Sequence, residues 1–174
     1  MAEESAEYKG VINSKLLKGD EYQELTWQAM RGYFDVIVHG CDCFHMMNTG
    51  VSASLAANYP MVLAEDKRLT KCGDSAKLGL CTAVPVLTHA KVPFVVVNAY
   101  IYYHPALPLE KPVKVEYGAV HSCLRWVKRR YAGQRIGLPK LGCGFSPNGD
   151  WQVLKPMIDE CLAGENYTIC VSSY

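Results

Sequence analysis

Apolar residues recur along this chain with two periods, and the switches between them mark out its elements. Val11 to Leu17 alternates well enough for a strand, which Lys18-Gly19-Asp20 ends. Glu21 to Met30 reads as a short helix. Phe34 to His39 is a strand of the buried type, rich in β-branched residues. A glycine-containing loop follows it, then a helix from Gly50 to Asn58, and Pro60 opens a further helical segment toward Leu69. Cys72 to Ser75 is a turn. Leu80 to Leu87 and Phe94 to Tyr102 predict two more strands. The loop from His104 to Pro112 carries three prolines, which bars it from a helix or a central strand. Val115 to Arg130 is the clearest amphipathic helix, with Val120, Cys123, Leu124 and Val127 at helical spacing. Arg135 to Leu138 is a strand, Trp151 to Leu162 a helix, and Tyr167 to Ser172 a last strand. No internal repeat interrupts this order. Strands alternating with helices predict an α/β layered domain on a largely parallel sheet, with ligands beyond the carboxyl ends of the strands.

Two glycine loops lie at such ends. One spans Phe34 to Pro60 (FDVIVHGCDCFHMMNTGVSASLAANYP) and the other Arg135 to Trp151 (RIGLPKLGCGFSPNGDW). A strand that feeds a glycine loop and a helix start makes an anion site. Glycine lets backbone N–H groups approach a phosphate, and the helix dipole favours negative charge there. Two such loops in one small domain point to a pyrophosphate-containing ligand.

Composition narrows the classes. A length of 174 residues fits one domain, 1–174, with residues 1–10 as a polar, flexible tail. Hydrophobic content of 49% and charged content of 20% describe a globular protein. A net charge of +1 makes no case for bulk nucleic-acid binding, and Lys128-Arg129-Arg130 reads as the solvated end of a helix. The first residues carry no apolar leader, and the longest apolar stretch, Val92 to Tyr103, is broken by Pro93 and Asn98, too short for a membrane helix of about 20 residues. A cytoplasmic protein with no membrane partner is expected. The eight cysteines include a C-x-C at Cys41 and Cys43 but no C-x-x-C, so neither a metal site nor a disulfide framework is predicted and no cofactor is called for. Cys81, Cys123, Cys161 and Cys170 read as small core residues, and Cys143 as a structural thiol in its loop.

Taken together, LLKGD at the first strand's end, HGCDCFHMMNTGVSASL, VVNAYIYY and GLPKLGCGFSPNGDW, in that order, resemble the macrodomains, the ADP-ribose-binding α/β modules. The resemblance runs from Val11 to Tyr174. It is strongest to the branch holding the ADP-ribose-1''-phosphate phosphatases and the terminal ADP-ribose protein glycohydrolase, and the GDW ending is similar to small phage-encoded members. It implies a three-layer α/β/α fold with a mixed, largely parallel central sheet. It implies an ADP-ribose-type nucleotide as ligand, with an ADP-ribosylated protein as a further partner.

The resemblance also implies residue roles. Asp20 would accept from the adenine amino group, although an N-cap reading of Asp20 is equally good. Cys41, Asp42, Asn48, Thr49, Gly50 and Val51 would wrap the distal ribose and pyrophosphate. Gly142, Cys143, Gly144, Phe145 and Ser146 would close over the other side, with Phe145 against the distal ribose or anchoring its loop in the core. Two positions depart from the family: Asp42 stands where Asn is usual and Asn48 where glycine is. A carboxylate at 42 would repel a diphosphate unless it turns away or meets a ribose hydroxyl. Asn48 is a mild change, because Asn tolerates left-handed backbone.

Hydrolysis at the distal ribose needs placement, a nucleophile and charge stabilisation. In the glycohydrolase a lysine attacks the ribose and an Asp after the second loop serves as acid/base. Lys77 falls loosely on that lysine, but Ser146 occupies the Asp position, and a hydroxyl is no carboxylate base. The nearest carboxylate is Asp150, also a natural N-cap. A phosphatase therefore survives better, since phosphate hydrolysis runs largely on positioning and electrostatics. Asp150 would orient water, with His39 or His45 as acid or base. A non-catalytic ADP-ribose reader, removal of ADP-ribose from acidic side chains, and a domain that has lost its ligand are the alternatives.

Overall fold

The computed structural model describes residues 10–13, 25–26, 29–105, 113–144 and 146–171. The strands are β1 (Gly10–Asn13), β2 (Val36–Cys41), β3 (Cys81–Leu87), β4 (Pro93–Tyr100), β5 (Arg135–Leu138) and β6 (Asn166–Val171). The helices are α1 (Gly50–Asn58), α2 (Pro60–Leu69), α3 (Tyr117–Arg130) and α4 (Trp151–Cys161), with a 3-10 turn at Ser75–Lys77. Leu25, Thr26, Ala29 and Met30 are helical as well, within the segment expected to be a short helix.

One sheet runs in the order β1-β6-β5-β2-β4-β3. Every neighbouring pair is parallel except β3–β4, which is antiparallel. The sheet is therefore mixed and largely parallel, as expected. β3 lies at its edge, which is why Pro85, lacking an N–H, is tolerated inside a strand.

Side-chain alternation explains the layers. Val36 and Val38 of β2 join Val97 and Ala99 of β4 in a core against α3 and α4, together with Val120, Leu124, Leu154 and Ile158. The residues of alternate parity, Ile37, Cys41, Val96 and Tyr100, face the other way, against Leu55 of α1 and Val62 of α2. Both faces of the sheet are covered, giving three layers. Each fully buried Leu or Ile in these clusters contributes roughly 1.5–3 kcal/mol of burial free energy.

Several boundaries moved for identifiable reasons. β2 starts at Val36 and runs on to Cys41, paired with Tyr100, because Phe34 lies below the ladder and packs over Gly137. A Cβ on Gly137 would fall 2.6 Å from the Phe34 ring. α3 begins at Tyr117, not Val115, because Val115 bridges Tyr102 in antiparallel fashion. Cys81 is only half-buried, whereas Cys123, Cys161 and Cys170 are buried as expected.

Candidate functional site

β2 and β5 are neighbours, and the chain leaves them in opposite directions. From β2 it passes through α1 and α2 toward β3 and β4; from β5 it passes through α4 to β6. Between adjacent parallel strands that depart this way, the loops at the carboxyl ends splay apart and leave a crevice. The two glycine loops stand there. One wall is Gly40, Thr49, Val51, Ser52 and Tyr102, and the other is Pro139, Lys140, Leu141, Gly142 and Gly144. A second compartment shares Gly40, Thr49, Ser52 and Tyr102 and adds Asp42, Met47, Asn48, His104 and Val113. The two are narrow, with cavity volumes of about 50 and 30 Å³.

The first loop holds itself in shape. Asp42 Oδ1 accepts the Phe44 N–H at 2.6 Å, an Asx turn. The carboxylate is turned back onto its own loop, which relieves the repulsion its position suggested. Burial, outweighing hydrogen bonds from the Phe44 and Met46 amides, raises its pKa. Left-handed backbone falls on His45 (φ 59°), Met47 (φ 40°) and Gly50 (φ 59°) rather than on Asn48. His45 is held in that conformation by Thr70 Oγ1, 2.8 Å from its Nε2, so it is half-buried and not a solvent-facing loop residue. α1 then begins at Gly50. Its N-cap, Thr49, makes no side-chain cap bond, and its first turn carries no acid; the carboxylate that shares the compartment, Asp42, is turned onto the Phe44 N–H.

The second loop is tied down by Gly142 and Ser146. Gly142 has φ 82°, and a Cβ there would meet Val115 Cγ2 at 2.9 Å. Ser146 is buried; its Oγ accepts the Val115 N–H at 2.8 Å and donates to the Val113 carbonyl at 3.0 Å. Ser146, where the resemblance to the glycohydrolase implies an acid/base, thus serves as an inward brace. Lys140, from the crevice wall, lies 5.4 Å from the centre of the Trp151 ring.

The remaining predicted residues divide. Asp20 and Phe145 lie outside the described residues. Thr49, Val51, Asp42, Asn48, Gly142 and Gly144 come together in the crevice, with Gly50 between two of them. Cys41 is buried, and burial pushes its thiol well above the ordinary range. Cys143 is half-buried in the second loop. Asp150 caps α4, accepting the Gln152 N–H at 2.9 Å, and does not line the crevice. Lys77 is no surface charge: it is 4% exposed and lies beneath the first loop, donating to the Cys43 carbonyl at 3.2 Å. His39 is fully buried, with Nδ1 2.9 Å from Ser52 Oγ and Nε2 2.6 Å from Asn98 Oδ1. Burial lowers its pKa to about 4, against a smaller upward effect of Asn98. At neutral pH it rests as a neutral imidazole, so it can give up a proton only after taking one from a neighbouring group.

Ser52, Tyr102, His104 and Lys140 were not singled out from the sequence, nor were Asn98, Asp66 and Tyr100 behind the crevice. Asn98 did leave a trace, as the polar residue that breaks an apolar strand. Among the described residues no group of three His, Cys, Asp or Glu side chains could hold a metal ion, and no helix is long and apolar enough to cross a membrane.

No protein-family model matches the chain. The uncharacterized 17.5 kDa protein of the tk-vs intergenic region of Enterobacteria phage T4 is 30% identical over 129 residues, which is 71% of this chain and 77% of that protein. DarTG of Thermosipho africanus, solved in complex with ADP-ribose, superposes with a TM-score of 0.63 at 14% identity, over 94% of this chain and 41% of that one. The macrodomain of Mycobacterium tuberculosis DarG superposes with a TM-score of 0.60 at 17% identity, over 83% and 91% of the two chains. The chain belongs to one family with the phage T4 protein, and its fold is that of the macrodomains.

Proposed function

We propose that this protein binds ADP-ribose or a close derivative in the crevice between its two glycine loops and hydrolyses the terminal phosphate of ADP-ribose-1''-phosphate. One observation carries the reading: the uncapped start of α1 and the Gly142–Gly144 segment form opposite walls of a single crevice. Backbone amides on both sides suit a diphosphate, and Lys140 adds the cation. The DarTG structure that shares this fold holds ADP-ribose, which supports the ligand class. Nucleotide pockets generally offer about 300–1,000 Å³, so the loops part when the ligand enters.

A second reading, an ADP-ribose reader without turnover, is favoured by Ser146, whose hydroxyl is spent on Val113 and Val115. Cleavage of ADP-ribose from acidic side chains draws no support from Lys77, which lies behind the loop. Calorimetry with ADP-ribose, followed by phosphate release from ADP-ribose-1''-phosphate, separates these readings. Saturable binding with phosphate release is expected. Binding without release at high enzyme concentration favours the reader, and no binding overturns the assignment.

A further inference from the structure

A buried row of polar side chains runs from the crevice to Asp66, and its hydrogen bonds have one direction. His39 of β2, Asn98 of β4 and Thr82 of β3 are register partners across three adjacent strands, so they lie side by side on one face of the sheet. At the far end Tyr100 Oη donates to Asp66 Oδ1 at 2.5 Å. Burial pushes that phenol well above its ordinary range, so it keeps its proton. Thr82 Oγ1 lies 3.0 Å from Tyr100 Oη. The phenol proton already points at the carboxylate, so the Thr82 hydroxyl is the donor in this contact. Thr82 in turn accepts from Asn98 Nδ2 at 3.2 Å.

That bond fixes the amide. With its NH2 group on Thr82, Asn98 turns Oδ1 toward His39 Nε2. An amide oxygen only accepts, so Nε2 carries the imidazole proton. His39 is neutral at pH 7, and Nδ1 therefore holds a lone pair. Ser52 Oγ lies 2.9 Å from it, competing only weakly with the Cys41 thiol at 3.8 Å, and Ser52 lines both compartments of the crevice. The Gly40 carbonyl, 3.1 Å from Ser52 Oγ, is the alternative resting place for the hydroxyl proton. A nucleophile, a base within hydrogen-bond reach and a third group orienting the base is the arrangement that activates a hydroxyl.

We infer that Ser52 is a catalytic nucleophile of this crevice, with His39 Nδ1 as its base and Asn98, Thr82, Tyr100 and Asp66 as positioning residues. Its substrate class is a ribose phosphate monoester, so the inference rests on the phosphatase reading above. Ser52 Oγ attacks phosphorus while the bond from phosphorus to the ribose oxygen breaks. The hydroxyl proton passes to Nδ1 and then to the departing ribose oxygen. Water next attacks the phosphoserine; Nδ1 takes a proton from the water and returns it to Oγ as inorganic phosphate leaves. Ser52 is the third residue of α1, so the free amides of that first turn lie beside the phosphoryl oxygens.

The test uses the full chain, its Ser52→Ala variant and its Asp66→Asn variant, each first checked for folding by thermal melting. Rapid quench with ADP-ribose-1''-phosphate should trap phosphate on Ser52 in the wild type. Ser52→Ala should lose on the order of 10^6-fold in kcat, the scale for removal of a serine nucleophile. Nitrogen chemical shifts should show His39 as the Nε2–H tautomer in the wild type, with that preference weakened in Asp66→Asn. Phosphate release by Ser52→Ala at the wild-type rate overturns the inference and leaves the phosphatase reading standing. No release by the wild type overturns that reading, and reaction with a fluorophosphonate then decides on Ser52 itself. Labelling at Ser52 that is lost in Asp66→Asn upholds an activated hydroxyl; no labelling removes it.

Discussion

The Lys77 ammonium stands 4.0 Å from Asp66 Oδ1, with 5% and 1% of the two side chains exposed. It also lies 4.8 Å from the centre of the Tyr100 ring, while Asp66 Oδ2 is buried with no hydrogen-bond partner among the described residues. Asp66 Oδ1 accepts from Tyr100 Oη and Thr70 Oγ1, and Lys77 donates to the Cys43 carbonyl, so the two charges face each other inside a buried hydrogen-bonded network. Removing one member strands the other without water, which costs about 3–5 kcal/mol. Lys77→Met, which keeps the length of the side chain, is therefore expected to lower stability by that amount in urea unfolding. Its effect on ADP-ribose affinity should be small once the folded fraction is allowed for. A variant of unchanged stability with abolished turnover would place Lys77 in the chemistry instead.

His39 sets a pH dependence. Its pKa is 6.5 when unperturbed and about 4 in the fold, where burial disfavours the charged ring. Between those values the unfolded chain takes up a proton that the folded chain refuses. Stability therefore falls as pH is lowered from 6.5 toward 4, and this group adds no slope above 6.5. At about 1.4 kcal/mol for each pH unit the total is roughly 3 kcal/mol. Urea midpoints measured at pH 7 and pH 4.5 should show this loss. His39→Gln, which cannot titrate, should flatten that part of the profile, and an equal slope in the variant would assign the effect elsewhere.

Asp150 separates a cap from a catalyst. Its carboxylate accepts the Gln152 N–H at the start of α4, and its own N–H donates to Tyr117 Oη at 3.0 Å. Asp150→Ala should cost about 1 kcal/mol, a fall in melting temperature of about 2–4 °C in a chain of this size. Asp150→Asn keeps an N-cap oxygen and should melt close to the wild type. If Asp150 only caps, both variants release phosphate from ADP-ribose-1''-phosphate at similar rates. A large loss in Asp150→Asn, with its melting preserved, would give the carboxylate a role in turnover.

The elements were legible in the sequence because period and punctuation agree. α1, α2 and β5 have the bounds that Gly50–Asn58, Pro60–Leu69 and Arg135–Leu138 predicted. The two loops were legible as partners because each contains glycine, follows a strand and precedes a helix, and the structure sets them on opposite walls of one crevice. What periodicity cannot give is which polar residue faces inward. Lys77 reads as surface charge, yet a 3-10 turn lays it under the first loop. Ser52 reads as one small residue among several in GVSASLAAN, and only the register of β2 on β4 shows that His39 and Asn98 stand behind it. Asn98 was the available clue, since a polar residue in a buried strand needs a partner.

Ser146 tests whether family chemistry can be restored by one change. Ser146→Asp would return a carboxylate to the position that carries one in the glycohydrolase. The geometry opposes a gain. Ser146 Oγ points at Val113 and Val115, and it also contacts Asn148 Oδ1, another acceptor. A carboxylate there has no proton for the Val113 carbonyl and sets two acceptors against it, at a cost of about 1–3 kcal/mol. The variant should melt lower and cleave no more ADP-ribosyl ester than the wild type. Ester cleavage that rises while the melting temperature holds would mean that the residue at 146 faces the ligand.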